Sequence, residues 1–356
     1  MKIVAASSRR VRVPLTRAYA IAGGSWDAVE LVIVELTSDA GASGFGQASP
    51  AEEVTRESID ACERELEGEA LAWLIGREVQ DFGHMLGELQ ERVRGPAARA
   101  AVDMALFDLE MKRLGVPLVE QLGRSWNDMA TSITIGLKPV AETLAEAEEY
   151  AGRGFRALKV KTGESVDLDL ERLAKLRERY GDGIALRADA NQGYDERALR
   201  FFATRMESLA LEMLEQPLPR GAEDALRALP AEVRAKLAAD ESIHDEADLQ
   251  RLVRAGCPFG IVNVKLMKCG GLRPALRLAR LAERNGLELM WGCMDESVLG
   301  IAAALHGAFA SPATRYLDLD GSFDLGEDPF TGGFELASGR LSTLAKPGLG
   351  VEPCSR

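Results

Sequence analysis

From about residue 125 onward the chain alternates short apolar, β-rich runs with longer amphipathic stretches. The runs are TSITIGL, ALKVKTG, IALRADAN, LEMLEQP, KLAADES, IVNVKLM, LELMWGCM and YLDLDG. Between them lie stretches such as PVAETLAEAEEYAGRG, VDLDLERLAKLRERYG and RPALRLARLAERNG, apolar at helical spacing and closed by a glycine suited to a left-handed cap. Eight strand candidates joined by helices predict a closed parallel (β/α) barrel, because closure is commoner than an open sheet of that size.

The flanks read differently. VAASSRRVRV and VELVIVELTS predict a small N-terminal sheet, with a glycine-rich turn around Asp39 to Gly46. From about Thr55 to Leu122 the pattern is helical, most clearly in GPAARAAVDMALFDLEMKRLG, where Ala101, Met104, Ala105, Asp108 and Leu109 recur at helical spacing and Gly115 ends the run. The tail from about Leu325 returns to short strands and turns that could rejoin the N-terminal sheet.

A net charge of -13 with no Lys/Arg run gives no footprint for nucleic acid and points to a small-molecule partner. Five scattered cysteines without CxxC suggest reduced thiols, and no segment approaches the roughly 20 apolar residues that span a bilayer, so a soluble cytoplasmic protein is expected. His84, His244 and His306 are isolated and read as structural, and GxSxG, P-loop and GxGxxG motifs are absent.

Polar residues interrupt the apolar runs at their C-terminal ends. Lys159 and Lys161 end the second run, Asp189 and Asn191 the third, Glu215 the fourth, Asp240 and Glu241 the fifth, and Lys265 the sixth. Asp189 to Glu215 is 26 residues, Glu215 to Asp240 is 25 and Asp240 to Lys265 is 25, one βα unit each. In a barrel these ends converge on one mouth. Three carboxylates there repel one another unless a cation neutralises them, and oxygen ligation favours magnesium, with manganese as a substitute. Lys161 and Lys265 lie four strands apart, which puts one amine on each side of a substrate carbon, and Lys159 is placed to tune Lys161. Asp318 and Asp320 alternate onto one face and offer either a seat for a substrate ammonium or a solvated turn. KCGG at Lys268 to Gly271 reads as an anion cradle or as a tight turn.

Together KVK (Lys159 to Lys161), DAN (Asp189 to Asn191), EQP (Glu215 to Pro217), DES (Asp240 to Ser242) and VKLMKCGG (Val264 to Gly271) resemble the enolase superfamily and its muconate lactonizing enzyme-like subgroup over nearly the whole chain. The resemblance implies a modified (β/α)7β TIM-type barrel over 125–324, an α+β capping domain over 1–124, and a tail, 325–356, that returns to the cap. It implies magnesium on Asp189, Glu215 and Asp240, Lys161 and Lys265 as the acid/base pair, and support from Asn191 and Glu241.

Asp318-Leu319-Asp320 looks like the DxD motif of dipeptide epimerases, whose aspartates hold the α-ammonium. The implied reaction inverts the α-carbon of the C-terminal residue of a dipeptide, with Thr134 and Asp295 as further substrate contacts. Where epimerases specific for alanyl-glutamate carry an arginine, this chain has Gly23 and Gly24. Glu52, Glu53, Asp295 and Glu296 fall in segments the family places near the pocket, and point to basic or neutral substrate side chains. Cycloisomerisation, o-succinylbenzoate synthesis, racemisation of N-acylated amino acids and a non-catalytic binding protein stay open as alternatives. A homo-oligomer is expected.

Overall fold

Strands Ile3–Ile21 and Gly24–Ser38 form a long antiparallel pair, and Ser43–Ala48 adds the third strand of the N-terminal sheet. The structure, a computed structural model, describes residues 1–21 and 24–354, and the side chains of all of these except residues 18–21 and 24–26. Gly23 therefore lies outside the described residues, and Gly24 enters only through its backbone pairing with Ile21.

The glycine-rich segment is less of a turn than expected. Only residues 39–42 turn, and Gly44 and Gly46 lie inside the third strand. Their role is close packing: a Cβ at Gly46 would sit 1.8 Å from the carbonyl oxygen of Ala101, and one at Gly44 2.3 Å from that of Ala105. Both carbonyls belong to the helix Pro96–Leu114, which is buried on nearly every side and ends at Gly115 with φ 73°. Missing side chains on the strand let this helix lie directly on the sheet.

The eight barrel strands are Ile133–Ile135, Ala157–Lys161, Ala185–Asp189, Leu211–Glu215, Leu237–Ala239, Ile261–Val264, Glu288–Gly292 and Thr314–Asp318. Each pairs in parallel with its sequence neighbour, and helices lie between successive strands, giving a (β/α)7β barrel. The first and eighth meet through a bridge between Thr131 and Leu317, reinforced by Ser132 N donating to the Leu317 carbonyl at 3.0 Å. Inside, Met213, Ala238, Ile261 and Met290 form a small apolar cluster separate from the main core.

The tail does not extend the N-terminal sheet as a strand. Phe334–Ala337 and Arg340–Thr343 pair with each other and with Met129–Ala130, beside the start of the barrel. Its links to the N-terminal region include bridges of Leu15 with Leu325 and of Pro117 with Gly348, ring contact of Phe330 with Phe45 at 5.4 Å, and the buried Asp108. The Asp108 carboxylate accepts the N–H groups of Phe45 at 2.9 Å and Leu349 at 2.8 Å. A second helix-borne carboxylate, Asp103, accepts Leu272 N at 2.6 Å and so caps the barrel helix Leu272–Arg284 from outside the barrel. Among the described residues no helix is long and apolar enough to cross a membrane.

Candidate active site

The polar residues that broke the apolar runs stand at one end of the barrel. Lys161, Asp189, Glu215 and Asp318 are the last residues of their strands, and Asp240 and Lys265 follow theirs directly. Parallel register sets Lys161 beside Asp189 and Asp189 beside Glu215.

Lys159 is buried and reaches three carboxylates: Asp318 Oδ2 at 2.7 Å, Glu215 Oε2 at 2.8 Å and Asp189 Oδ2 at 3.0 Å. Lys161 donates to the same Asp189 oxygen at 2.8 Å and to Asn191 Oδ1 at 2.9 Å. Across the barrel, Asp240 Oδ2 accepts Lys265 Nζ at 2.7 Å. Lys161 and Lys265 thus flank the carboxylates from the second and sixth strands.

Burial alone would lower the proton affinity of Lys159 and Lys265. The surrounding carboxylates outweigh it and push both above the usual lysine range. These amines are themselves the cations that neutralise the cluster. Burial acts against the charge of Asp189 and Asp240 too, but their lysine partners hold both below the usual carboxylate range. Glu215 and Glu241 lack enough compensation. Burial and the neighbouring aspartates push each up to about 7.

Among the described residues no three Asp, Glu, His or Cys side chains already enclose a point as a ligand set. The donor chemistry nevertheless fits a hard divalent ion. Glu215 Oε2 has Lys159 beside it as an ion pair but lies outside hydrogen-bonding geometry, and Glu241 Oε2 is buried with no hydrogen-bond partner. Such carboxylates call for positive charge.

Ser132, which the sequence reading passed over, donates to Asp318 Oδ1 at 2.6 Å, so Asp318 is shared between this hydroxyl and Lys159. Asp320 Oδ2 accepts the Thr134 N–H at 2.7 Å, so Thr134 supports the aspartate through its backbone. Burial and the charge of Asp318 push Asp320 up to about 7.

The acidic residues expected near the pocket divide. Glu296 is turned inward, accepting Met294 N at 2.9 Å and facing Gln47, and does not present its charge outward. The Asp295 main-chain oxygen accepts Ser49 Oγ at 2.6 Å. Glu52 and Glu53 are exposed on the short helix Glu52–Thr55, which packs near Leu266–Cys269, just after Lys265.

Three further residues hold the cluster. Lys268, fully buried, donates to the Asp240 carbonyl at 2.7 Å, to Asp240 Oδ1 and to the Asn263 carbonyl at 3.1 Å. Asn263 donates to Glu215 Oε1 at 2.6 Å. Gln216 Oε1 accepts the N–H groups of Asp240 and Ser242, both at 3.1 Å, tying the fourth strand end to the fifth. Gln216 does so with φ 32°, and Asn191 has φ 41°, left-handed backbone that costs non-glycine residues of order 1 kcal/mol. The sequence carried one signal for Lys268: three residues beyond Lys265, it falls on the same face of the short helix.

His306 and His244 are held by the fold, and His84 is exposed. Burial holds His306 down at about 4, with Nδ1 accepting Val119 N at 3.0 Å, and His244 Nε2 lies 2.9 Å from the Val54 carbonyl.

Comparison with known proteins bears on the same two regions. Residues 3–123 match the family model for the mandelate racemase / muconate lactonizing enzyme N-terminal domain, and residues 142–356 match the enolase C-terminal domain-like model. An L-Lys-D/L-Arg epimerase of Methylococcus capsulatus is 50% identical, over 99% of both chains. An L-Ala-D/L-Glu epimerase of Bacillus subtilis is 33% identical, over 99% of this chain and 97% of its own. A crystal structure of dipeptide epimerase from Methylococcus capsulatus, complexed with Mg and the dipeptide L-Arg-D-Lys, superposes with a TM-score of 0.97 at 50% identity, covering 99% of each chain.

Proposed function

The chain belongs to the mandelate racemase/muconate lactonizing enzyme family of the enolase superfamily, and from that premise we propose that it is a magnesium-dependent dipeptide epimerase. The carrying observation is the placement of Lys161 and Lys265 on opposite barrel strands with carboxylates between them.

Asp189, Glu215 and Asp240 are the residues that would hold magnesium. When bound, the ion supplies positive charge to the substrate carboxylate, so that negative charge developing beside the α-carbon costs less. Lys161 and Lys265 face the α-carbon from opposite sides. One, as the neutral amine, takes the α-proton, and the other, as the ammonium, donates a proton to the opposite face. The C–H bond broken and the C–H bond formed leave the dipeptide inverted at that centre. Lys159 maintains positive charge among Asp189, Glu215 and Asp318. Asp320, with Asp318 behind it, receives the α-ammonium, and the Thr134 N–H orients Asp320.

Basic side chains are the substrate class favoured here. The L-Lys-D/L-Arg epimerase is 50% identical to this chain and the L-Ala-D/L-Glu epimerase 33%, and exposed Glu52 and Glu53 lie near the turn after Lys265. Manganese, equally suited to oxygen donors, is the expected substitute metal.

The test is a dipeptide panel in deuterated water, read by mass shift and by chiral separation. Dipeptides of lysine and arginine should exchange and epimerise fastest by kcat/KM, only with divalent metal; Lys161→Ala and Lys265→Ala should each lose epimerisation and exchange only the stereoisomer whose α-proton faces the lysine retained. Alanyl-glutamate as the best substrate would overturn the side-chain assignment. Epimerisation that persists in either lysine variant would overturn the mechanism.

A further inference from the structure

Behind the turn that follows Lys265 lies a cleft of about 70 Å3, bounded by the helix Phe82–Arg92, the start of Pro96–Leu114 and the start of Leu272–Arg284. It is lined by three arginines, Arg99, Arg273 and Arg277, together with Gln90, Asp103 and Gly270. Arg277 is paired with Glu246 at 2.9 Å. Arg273 donates through Nη1 to the Gly83 carbonyl at 2.9 Å, and among the described residues it has no ion pair.

Arg99 is the least satisfied of the three. Among the described residues it makes no ion pair, its Nη1 donates only to the carbonyls of Val93 and Arg94, and its Nε is buried with no hydrogen-bond partner. Burial works against its charge, and Glu57, Glu65 and Asp245 offset this only in part. Gly270, with φ 90°, brings the backbone so near that a Cβ there would lie 2.9 Å from Arg99 Nε.

The one carboxylate lining the cleft turns both oxygens to backbone N–H groups rather than to the guanidiniums. Asp103 is engaged by the N–H groups of Leu272 and Arg273, and burial favours its uncharged form. A chain of net charge -13 thus keeps a cationic cleft where its two regions meet. Planar guanidinium groups with unspent N–H donors suit an oxyanion. The cleft has room for a tetrahedral ion.

We propose that this cleft binds a small oxyanion, free inorganic phosphate, between Arg99 and Arg273, clamping the N-terminal helices to the barrel. The site is separate from the lysine and carboxylate cluster and does not depend on the reaction assigned to it.

Thermal unfolding of the metal-free chain in potassium phosphate is compared with potassium chloride at matched ionic strength. Phosphate should raise Tm by several degrees in the wild type. The gain should vanish in Arg99→Met and in Gln90→Glu, the latter placing an opposing charge at an exposed lining position that leaves folding intact if Arg99→Met does not fold. Glycerol 2-phosphate, in which the ester takes one of the four oxygens that would receive guanidinium N–H groups, should give a smaller shift. Equal shifts in phosphate and chloride, or a phosphate shift retained in Gln90→Glu, would overturn the site. A larger shift with the ester would overturn the assignment to the free ion.

Discussion

Lys268 grips Asp240 twice, donating to its carboxylate and to its main-chain carbonyl, while itself fully buried. This leaves Oδ2 as the carboxylate oxygen turned toward Lys265. Removing one partner of a buried ion pair leaves an uncompensated charge and costs on the order of 3 kcal/mol. Lys268→Met should lose about that much stability in urea unfolding, and should weaken magnesium binding in calorimetry at least tenfold. Unchanged magnesium affinity in a folded variant would show that Lys268 does not position the ligand.

Asp320 distinguishes a free-amine dipeptide from an N-acylated amino acid. Asp320→Asn keeps an acceptor for the Thr134 N–H but removes the charge that pairs with an ammonium. Epimerisation of a basic dipeptide should fall at least a hundredfold, mostly in kcat/KM, a loss of about 3 kcal/mol of transition-state stabilisation. Equal loss on N-acylated and free-amine substrates would contradict an ammonium seat.

Gly46→Ala tests the contact of helix and sheet. The new Cβ would meet backbone, the Ala101 carbonyl at 1.8 Å, which cannot rotate aside. Overpacking of this kind costs about 1–3 kcal/mol or more. A drop in Tm with unchanged pH dependence of activity is the expected pattern.

Asp103 gives a stability term that depends on pH. Burial pushes its carboxyl up to about 7 in the folded chain, against 3.8 ordinarily. Below about pH 4 both folded and unfolded states hold the proton. Between there and pH 7 only the folded state does, so this stabilisation declines as pH rises, by up to about 1.4 kcal/mol per pH unit. Asp103→Asn, neutral throughout, should therefore gain on the wild type between pH 5 and pH 8. Parallel urea midpoints at the two values would contradict this.

The barrel and the residues at its mouth were legible because charged groups at the ends of apolar strands break a pattern that nothing else disturbs. Lys161, Asp189, Glu215, Asp240 and Lys265 each did so at nearly constant spacing. The supporting residues were hidden for a physical reason. Ser132 and Asn263 resemble ordinary strand positions, and their partners Asp318 and Glu215 lie 186 and 48 residues away. Only closure of the barrel brings them together. Gly44 and Gly46 read as a turn because glycine signals freedom in a loop and close contact in a strand equally well, and the helix that decides between these lies more than fifty residues on.

Asp108 has a consequence for how the chain is made. Its carboxylate joins the N–H of Phe45 to that of Leu349, and Leu349 lies 241 residues further along. On the ribosome, the helix carrying Asp108 can dock on the N-terminal sheet, with Lys112 paired to the carboxylate, long before Leu349 has been polymerised. Until then the carboxylate has one open side, and water can reach a position that later becomes sealed. Synthesis of the segment that carries Leu349 acts as a latch, and a nascent chain stalled before residue 349 should remain susceptible to protease between the N-terminal sheet and the barrel.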